Sequence, residues 1–113
     1  MHFPLRGQVW YMNLDPTTGR EQAGKRPALV LSTNGFNRGP AGLVLIAPIT
    51  SKDKRIASHV PIDPPEGGTT KRSFIMCEAI RSVALERLTK QWGEVSSSTL
   101  AEVEDRLRIL LEL

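Results

Sequence analysis

Apolar and polar positions follow a strand-like pattern through most of the chain and change to a helical period only near its end. Residues 8–14 (QVWYMNL) alternate loosely and run into Asp15-Pro16, the pattern of a strand entering a turn. A second strand is predicted at residues 28–32 (ALVLS). Residues 43–47 (LVLIA) are continuously apolar, as a strand buried on both faces should be, and Pro48 marks its approach to an edge or end. Further short strands are predicted at 59–62, 73–78 and 87–91, with the turn-forming segments RGPAG and DPPEGG exposed between them. In the last segment Leu100, Val103, Leu107, Leu110 and Leu111 fall on one helical face opposite Glu102, Asp105 and Arg106, and any of Ser96 to Thr99 can cap the helix. Several closely spaced strands and one terminal helix predict a mainly β domain, either a small barrel or a strongly bent sheet, with an amphipathic C-terminal helix packed on it.

Composition keeps this picture to one domain. A chain of 113 residues supports a single core, and its 40% hydrophobic and 24% charged content is that of a soluble globular protein. No apolar run nears the roughly 18 residues of a membrane span, and the start MHFPLRGQ has no signal-peptide h-region. A lone cysteine, Cys77, excludes an internal disulfide and fits a reducing cytoplasm. Charge adds a direction. Up to residue 90 there are 13 Lys/Arg against 7 Asp/Glu, and beyond it 2 against 5, so a basic body carries an acidic tail. A basic body is the footprint of a phosphate-backbone ligand, although the same excess also serves solubility alone.

The densest charge lies in the loop DPTTGREQAGKRP, residues 15–27, where Arg20, Glu21, Lys25 and Arg26 sit between two predicted strands. A connector charged this heavily and closed by proline at both ends points to a site on a rigid frame. With GQVWYMNLDPTTGREQAGKRPALVLS, VLIAPITS, MCEAIRSV and the terminal helix in this order, the chain resembles the MazF/PemK (Kid) toxins of bacterial toxin–antitoxin modules. The likeness runs from Arg6 to Leu113. Its most specific part is DP-x-x-G-x-E-x-x-G-x-RP combined with PITS some twenty residues later. The resemblance implies a small SH3-like (CcdB/PemK-type) barrel with a C-terminal helix, a cytoplasmic homodimer, and sequence-specific cleavage of single-stranded RNA without metal or other cofactor. It also implies a small antitoxin partner whose disordered acidic tail covers the RNA groove.

Metal-free RNA cleavage uses the substrate's own 2′-hydroxyl as nucleophile. The protein must take that proton, stabilise a pentacoordinate phosphorus and protonate the leaving 5′-oxygen, giving a cyclic phosphate and a 5′-hydroxyl. Arg26 offers a planar five-donor guanidinium and Thr50 a small hydroxyl; the matching Arg and Thr of the family are the residues most often assigned to catalysis. A guanidinium is a poor general base, so Arg26 is expected to stabilise charge or act as the acid. Glu21 matches a family position tied to activity or RNA contact and is the catalytic candidate for the base, although Glu78, at a position some members use catalytically, could also serve if partial burial raised its pKa. Glu78 matches an acidic position beside the substrate groove. Arg20, Lys25 and Arg26 would lower the pKa of a nearby carboxylate, which weighs against its use as base. Arg20, Ser51, Lys52, Lys54, Arg55, Glu78 and Arg81 complete the expected substrate-binding set, with the Lys52-Asp53-Lys54-Arg55 run directly after Thr50 able to track a phosphate chain.

The departures from the family pattern also carry information. PemK-type members have His, Arg and Asp where this chain has Arg20, Met76 and Glu78, so the chain sides with the Arg/Thr variant. Ala79 stands where many relatives have a base-reading glutamine, so their recognition sequences do not transfer. Each residue also has an ordinary reading: Glu21 and Arg26 as a surface ion pair, Thr50 as a strand-end hydroxyl, residues 52–55 as a solvated loop. Neither His2 nor His59 fits a family motif, two histidines and a cysteine lack zinc-ligand spacing, and Cys77 in an apolar run reads as a buried small hydrophobe. Trp10 is expected in the core, while Trp92 beside Gly93 fits either a core or a stacking role. Two rival functions share the pattern. One is a gyrase-poisoning toxin, against which the Leu-Glu-Leu ending stands, since CcdB-like chains end in Trp-Gly-Ile. The other is a catalytically silent RNA-binding or structural module, against which the retention of both Arg26 and Thr50 stands.

Overall fold

The computed structural model describes residues 3–15 and 24–113. Among them are β1 (Gln8–Asn13), β2 (Lys25–Val30), α1 (Asn34–Arg38), β3 (Leu43–Thr50), β4 (His59–Ile62), β5 (Ser73–Met76), β6 (Arg81–Ala84), β7 (Leu88–Glu94) and α2 (Ser97–Leu111). Every strand pairing is antiparallel, in the order β4-β5-β3-β2-β1-β7, with β6 added to β3. The expected mainly β architecture with a terminal helix is therefore present. The hydrogen-bonded path ends at β4 and β7, so it is an open sheet and not a closed barrel ladder.

Strand β3 organises the molecule because it has three partners. One edge pairs with β2, through Ile46 to Pro48 against Val30 to Ala28; the other pairs first with β6, as far as Ile46, and then with β5, from Ile49. Pro48 falls in the gap between those last two ladders, where a missing N–H costs no bond on that side. The strand thus continues through Pro48 to Thr50, three residues beyond the predicted end.

Alternation then sorts the side chains. Leu29, Leu31, Ala47 and Ile49 face a core completed by Val9, Val60, Ile62, Ile75, Cys77, Val95 and Val103. Ala28, Val30, Val44 and Ile46 point the other way, into a second core with Met12, Leu14 and Val83, against which Trp10, Leu85 and Leu88 pack. From Ile46 on β3 is buried on both faces, as its apolar run predicts, but Leu45 is exposed and Leu43 only half-buried, so the first half of the run is covered on one face alone.

Helix α2 begins at Ser96, whose Oγ accepts the Thr99 amide at 3.2 Å. It packs on β4 and the turn Cys77–Ala79, with Val103 fully buried and Leu100 and Leu107 against the first core. Leu110 and Leu111, expected on the same packed face, are instead open to solvent along with Ile109. A 15-residue helix extends about 22 Å, and its last turn carries the apolar stripe past the core it covers. Two elements were not predicted. In α1 only Asn37 is buried, its Nδ2 donating to the carbonyls of Pro4 and Ser32, and in β6 only Val83 is buried.

Candidate active site

The register of β2 on β3 brings the two central candidates together. The β2–β3 ladder ends at Ala28 opposite Pro48, and Arg26 and Thr50 each lie two residues beyond that last pair, on its face of the sheet by alternation. Both residues line one cleft of about 270 Å³, which also takes in Lys25, Pro27, Ile49, Ser51, Lys52, Thr69, Thr70, Lys71, Ser73 and Trp92. Its described lining thus holds four cations, Lys25, Arg26, Lys52 and Lys71, and no carboxylate. Such a cleft concentrates positive potential and suits a polyanion.

Thr50 is almost fully buried, and its Oγ1 accepts the Lys52 amide at 3.2 Å. That bond fixes the side chain at the turn out of β3 and uses an acceptor lone pair, so the hydroxyl proton remains to be donated. Thr69, Thr70 and Lys71 of the lining come from the connection between β4 and β5, Ser73 from β5 and Trp92 from β7. Sequence predicts only an exposed turn at DPPEGG in that connection, and the Thr69-Thr70-Lys71 run that follows it, for which no role was expected, lines the cleft.

The other sequence candidates disperse. Arg20, Glu21 and His2 lie outside the described residues. Lys54 and Arg55 are exposed on the loop between β3 and β4 and do not line the cleft; the Arg55 amide donates to Asp53 Oδ1 at 3.0 Å. Arg81 sits on β6 opposite Ile46, half-buried and outside the cleft lining. Glu78 is also outside it, in the turn after β5, accepting from Ser58 Oγ at 2.6 Å and paired with His59 Nε2 at 2.7 Å. Partial burial pushes the Glu78 pKa up, but the bonds from Ser58 and His59 outweigh it and hold the carboxyl below its ordinary range. Burial, reinforced by the Glu78 charge, pushes the Cys77 thiol up to about 11, which leaves it protonated and unreactive as its apolar setting suggested. Among the described residues no three His, Cys, Asp or Glu side chains gather as a metal would require, and no helix is long and apolar enough to cross a membrane.

Comparison with known proteins places this arrangement. Residues 5–111 match the model of the PemK-like, MazF-like toxins of type II toxin–antitoxin systems. The chain belongs to this family. It is 35% identical to "Endoribonuclease MazF9" of Mycobacterium tuberculosis, over 96% of each chain. Its fold superposes on the crystal structure of MazF from Deinococcus radiodurans with a TM-score of 0.89 and 32% identity, covering 100% of both chains. An endoribonuclease of a mycobacterial species, solved in complex with its cognate antitoxin, is 26% identical with a TM-score of 0.78, over 100% of this chain and 97% of that one. The MazF/PemK resemblance seen in the motifs is therefore borne out across nearly the whole length.

Proposed function

We propose that this toxin is a metal-independent, sequence-specific endoribonuclease that cuts single-stranded RNA through attack of the substrate's 2′-hydroxyl on the adjacent phosphate. The observation that carries the reading is that Arg26 of β2 and Thr50 of β3 line one cleft whose described lining has four cations and no carboxylate.

Each group follows from its chemistry. The Arg26 guanidinium donates to the non-bridging oxygens as negative charge builds on the pentacoordinate phosphorus, and the Thr50 hydroxyl supplies a second donor fixed by its bond to Lys52. Since Arg26 is a poor base, Glu21 is assigned the 2′-hydroxyl proton, and the leaving 5′-oxygen takes its proton from Arg26 or solvent. The products are a 2′,3′-cyclic phosphate and a 5′-hydroxyl. Ser51 and Lys52 hold the phosphate next to the scissile one. Arg20, Lys54, Arg55 and Arg81, and Glu78 with the Ser58 hydroxyl its carboxylate engages, extend the substrate surface beyond the cleft.

The same cationic cleft is suited to a disordered acidic antitoxin tail, which would exclude RNA by occupying the phosphate positions. A cytoplasmic homodimer completes the proposal, and the exposed Ile109, Leu110 and Leu111 supply apolar surface of the kind a second copy covers. Arg26→Ala tests the central assignment: it should abolish cleavage while the protein stays folded, and excess chelator should leave the native enzyme unaffected. Full-rate cleavage by the variant would remove Arg26 from the chemistry, and loss of activity in chelator would transfer it to a metal.

A further inference from the structure

The cleft lining includes one aromatic side chain, Trp92 of β7, with 38% of its surface exposed. It belongs to neither core cluster, although a tryptophan placed for stability would be expected in one of them. Its orientation is nevertheless fixed. Tyr11 of the adjoining β1 stacks on the indole with ring centroids 5.3 Å apart and planes 6° from parallel, covering one face. Behind the main chain, Gly68 makes a contact that only glycine allows: its φ is +73°, and a Cβ there would lie 2.3 Å from the Trp92 carbonyl oxygen. Plane and backbone are thus both set before any ligand arrives, which lowers the ordering cost of binding.

A rigid, partly open indole beside four cations is how proteins receive unpaired nucleotides. Every base offers a π face, and the backbone phosphates that accompany it find the lysines and arginine. Resting on the ribonuclease reading, we propose that Trp92, backed by Tyr11, is a base-stacking platform that seats one nucleotide of single-stranded RNA next to the scissile phosphate. Trp92 therefore positions substrate and takes no part in proton transfer. The platform explains how a cleft that would attract any polyanion comes to prefer a single strand, because a base held in a duplex has no free face to offer.

The test compares binding of two labelled, uncleavable 2′-O-methyl oligonucleotides of equal length and charge, one carrying its bases and one abasic. Native protein should bind the first at least tenfold more tightly, about tenfold of it from the one base stacked on Trp92. Trp92→Ala should lose that tenfold while binding the abasic strand unchanged, and Trp92→Phe should retain most of it. Trp92→Leu, which keeps apolar bulk without a π face, decides the matter if the alanine variant fails to fold: a folded leucine variant should lose that tenfold too. Variants that keep the full preference overturn the platform. Cleavage of the unmodified RNA by native protein, measured in parallel, tests the ribonuclease reading separately, since a protein that stacks bases without cutting would fail there and nowhere else.

Discussion

Replacing Thr50 by valine removes one hydroxyl and almost no volume, which makes it a sharp test of the site. The strand end is nearly fully buried, and the hydroxyl's described bond is the one it accepts from the Lys52 amide at 3.2 Å. Losing a neutral hydrogen bond of this kind costs about 1 kcal/mol, so the melting temperature should fall by about 4 °C for a domain of this size. The catalytic loss should be much larger. A fixed donor aimed at charge that develops only in the transition state contributes about 10²- to 10³-fold in rate, or about 3 to 4 kcal/mol. Single-turnover cleavage of a short single-stranded RNA should therefore slow at least 100-fold in Thr50→Val, with the affinity for a 2′-O-methyl analogue changed less than about threefold. Thr50→Ser, which restores the hydroxyl, should recover most of the rate. A valine variant that cleaves within a few-fold of native, or a serine variant as slow as valine, would refute the donor role and reduce Thr50 to a strand-end cap.

Lys71, which sequence reading passed over, should behave as a phosphate contact: Lys71→Ala should weaken RNA binding equally for all sequences and reduce the slope of log affinity against log salt by about 1, and an unchanged slope would take Lys71 out of the binding surface. Glu78 gives a pH signature. Its folded-state pKa lies below the ordinary 4.5, so the stability it adds is complete above that value and is lost as pH falls through the lower folded value. Glu78→Gln should accordingly lower the melting temperature at pH 7 and progressively less toward pH 3. An equal deficit at both ends would mean that the carboxylate's charge is not what Ser58 and His59 stabilise.

Much of the fold was legible because its signals are local. Residues 43–47 announced a strand by composition alone, although Leu45 on one face proves exposed, and the Ser96 cap and the spacing of Leu100, Val103 and Leu107 marked the helix. The misses have physical causes. Both α1 and β6 are four or five residues long and bury one side chain each, too little to leave a period. Leu110 and Leu111 continue the helical stripe, but periodicity carries no information about where the underlying core stops. Arg26 and Thr50 were named through motifs, and what made them neighbours, the register of β2 on β3, is set by pairing that no local pattern records. Lys71 and Trp92 enter the cleft from elements 45 and 66 residues beyond Arg26, so only the folded chain unites them. Glu78 is the opposite case, matched by motif yet engaged with Ser58 and His59 outside the cleft lining.

The central claim is tested most directly by incubating native protein and Arg26→Ala with a long single-stranded RNA in excess EDTA and mapping the new 5′ ends by sequencing. The account predicts cuts by the native protein confined to one short motif and bearing 5′-hydroxyls, with none from the folded Arg26→Ala variant. Intact RNA with native protein, or the same cuts at the same rate from the variant, would contradict it.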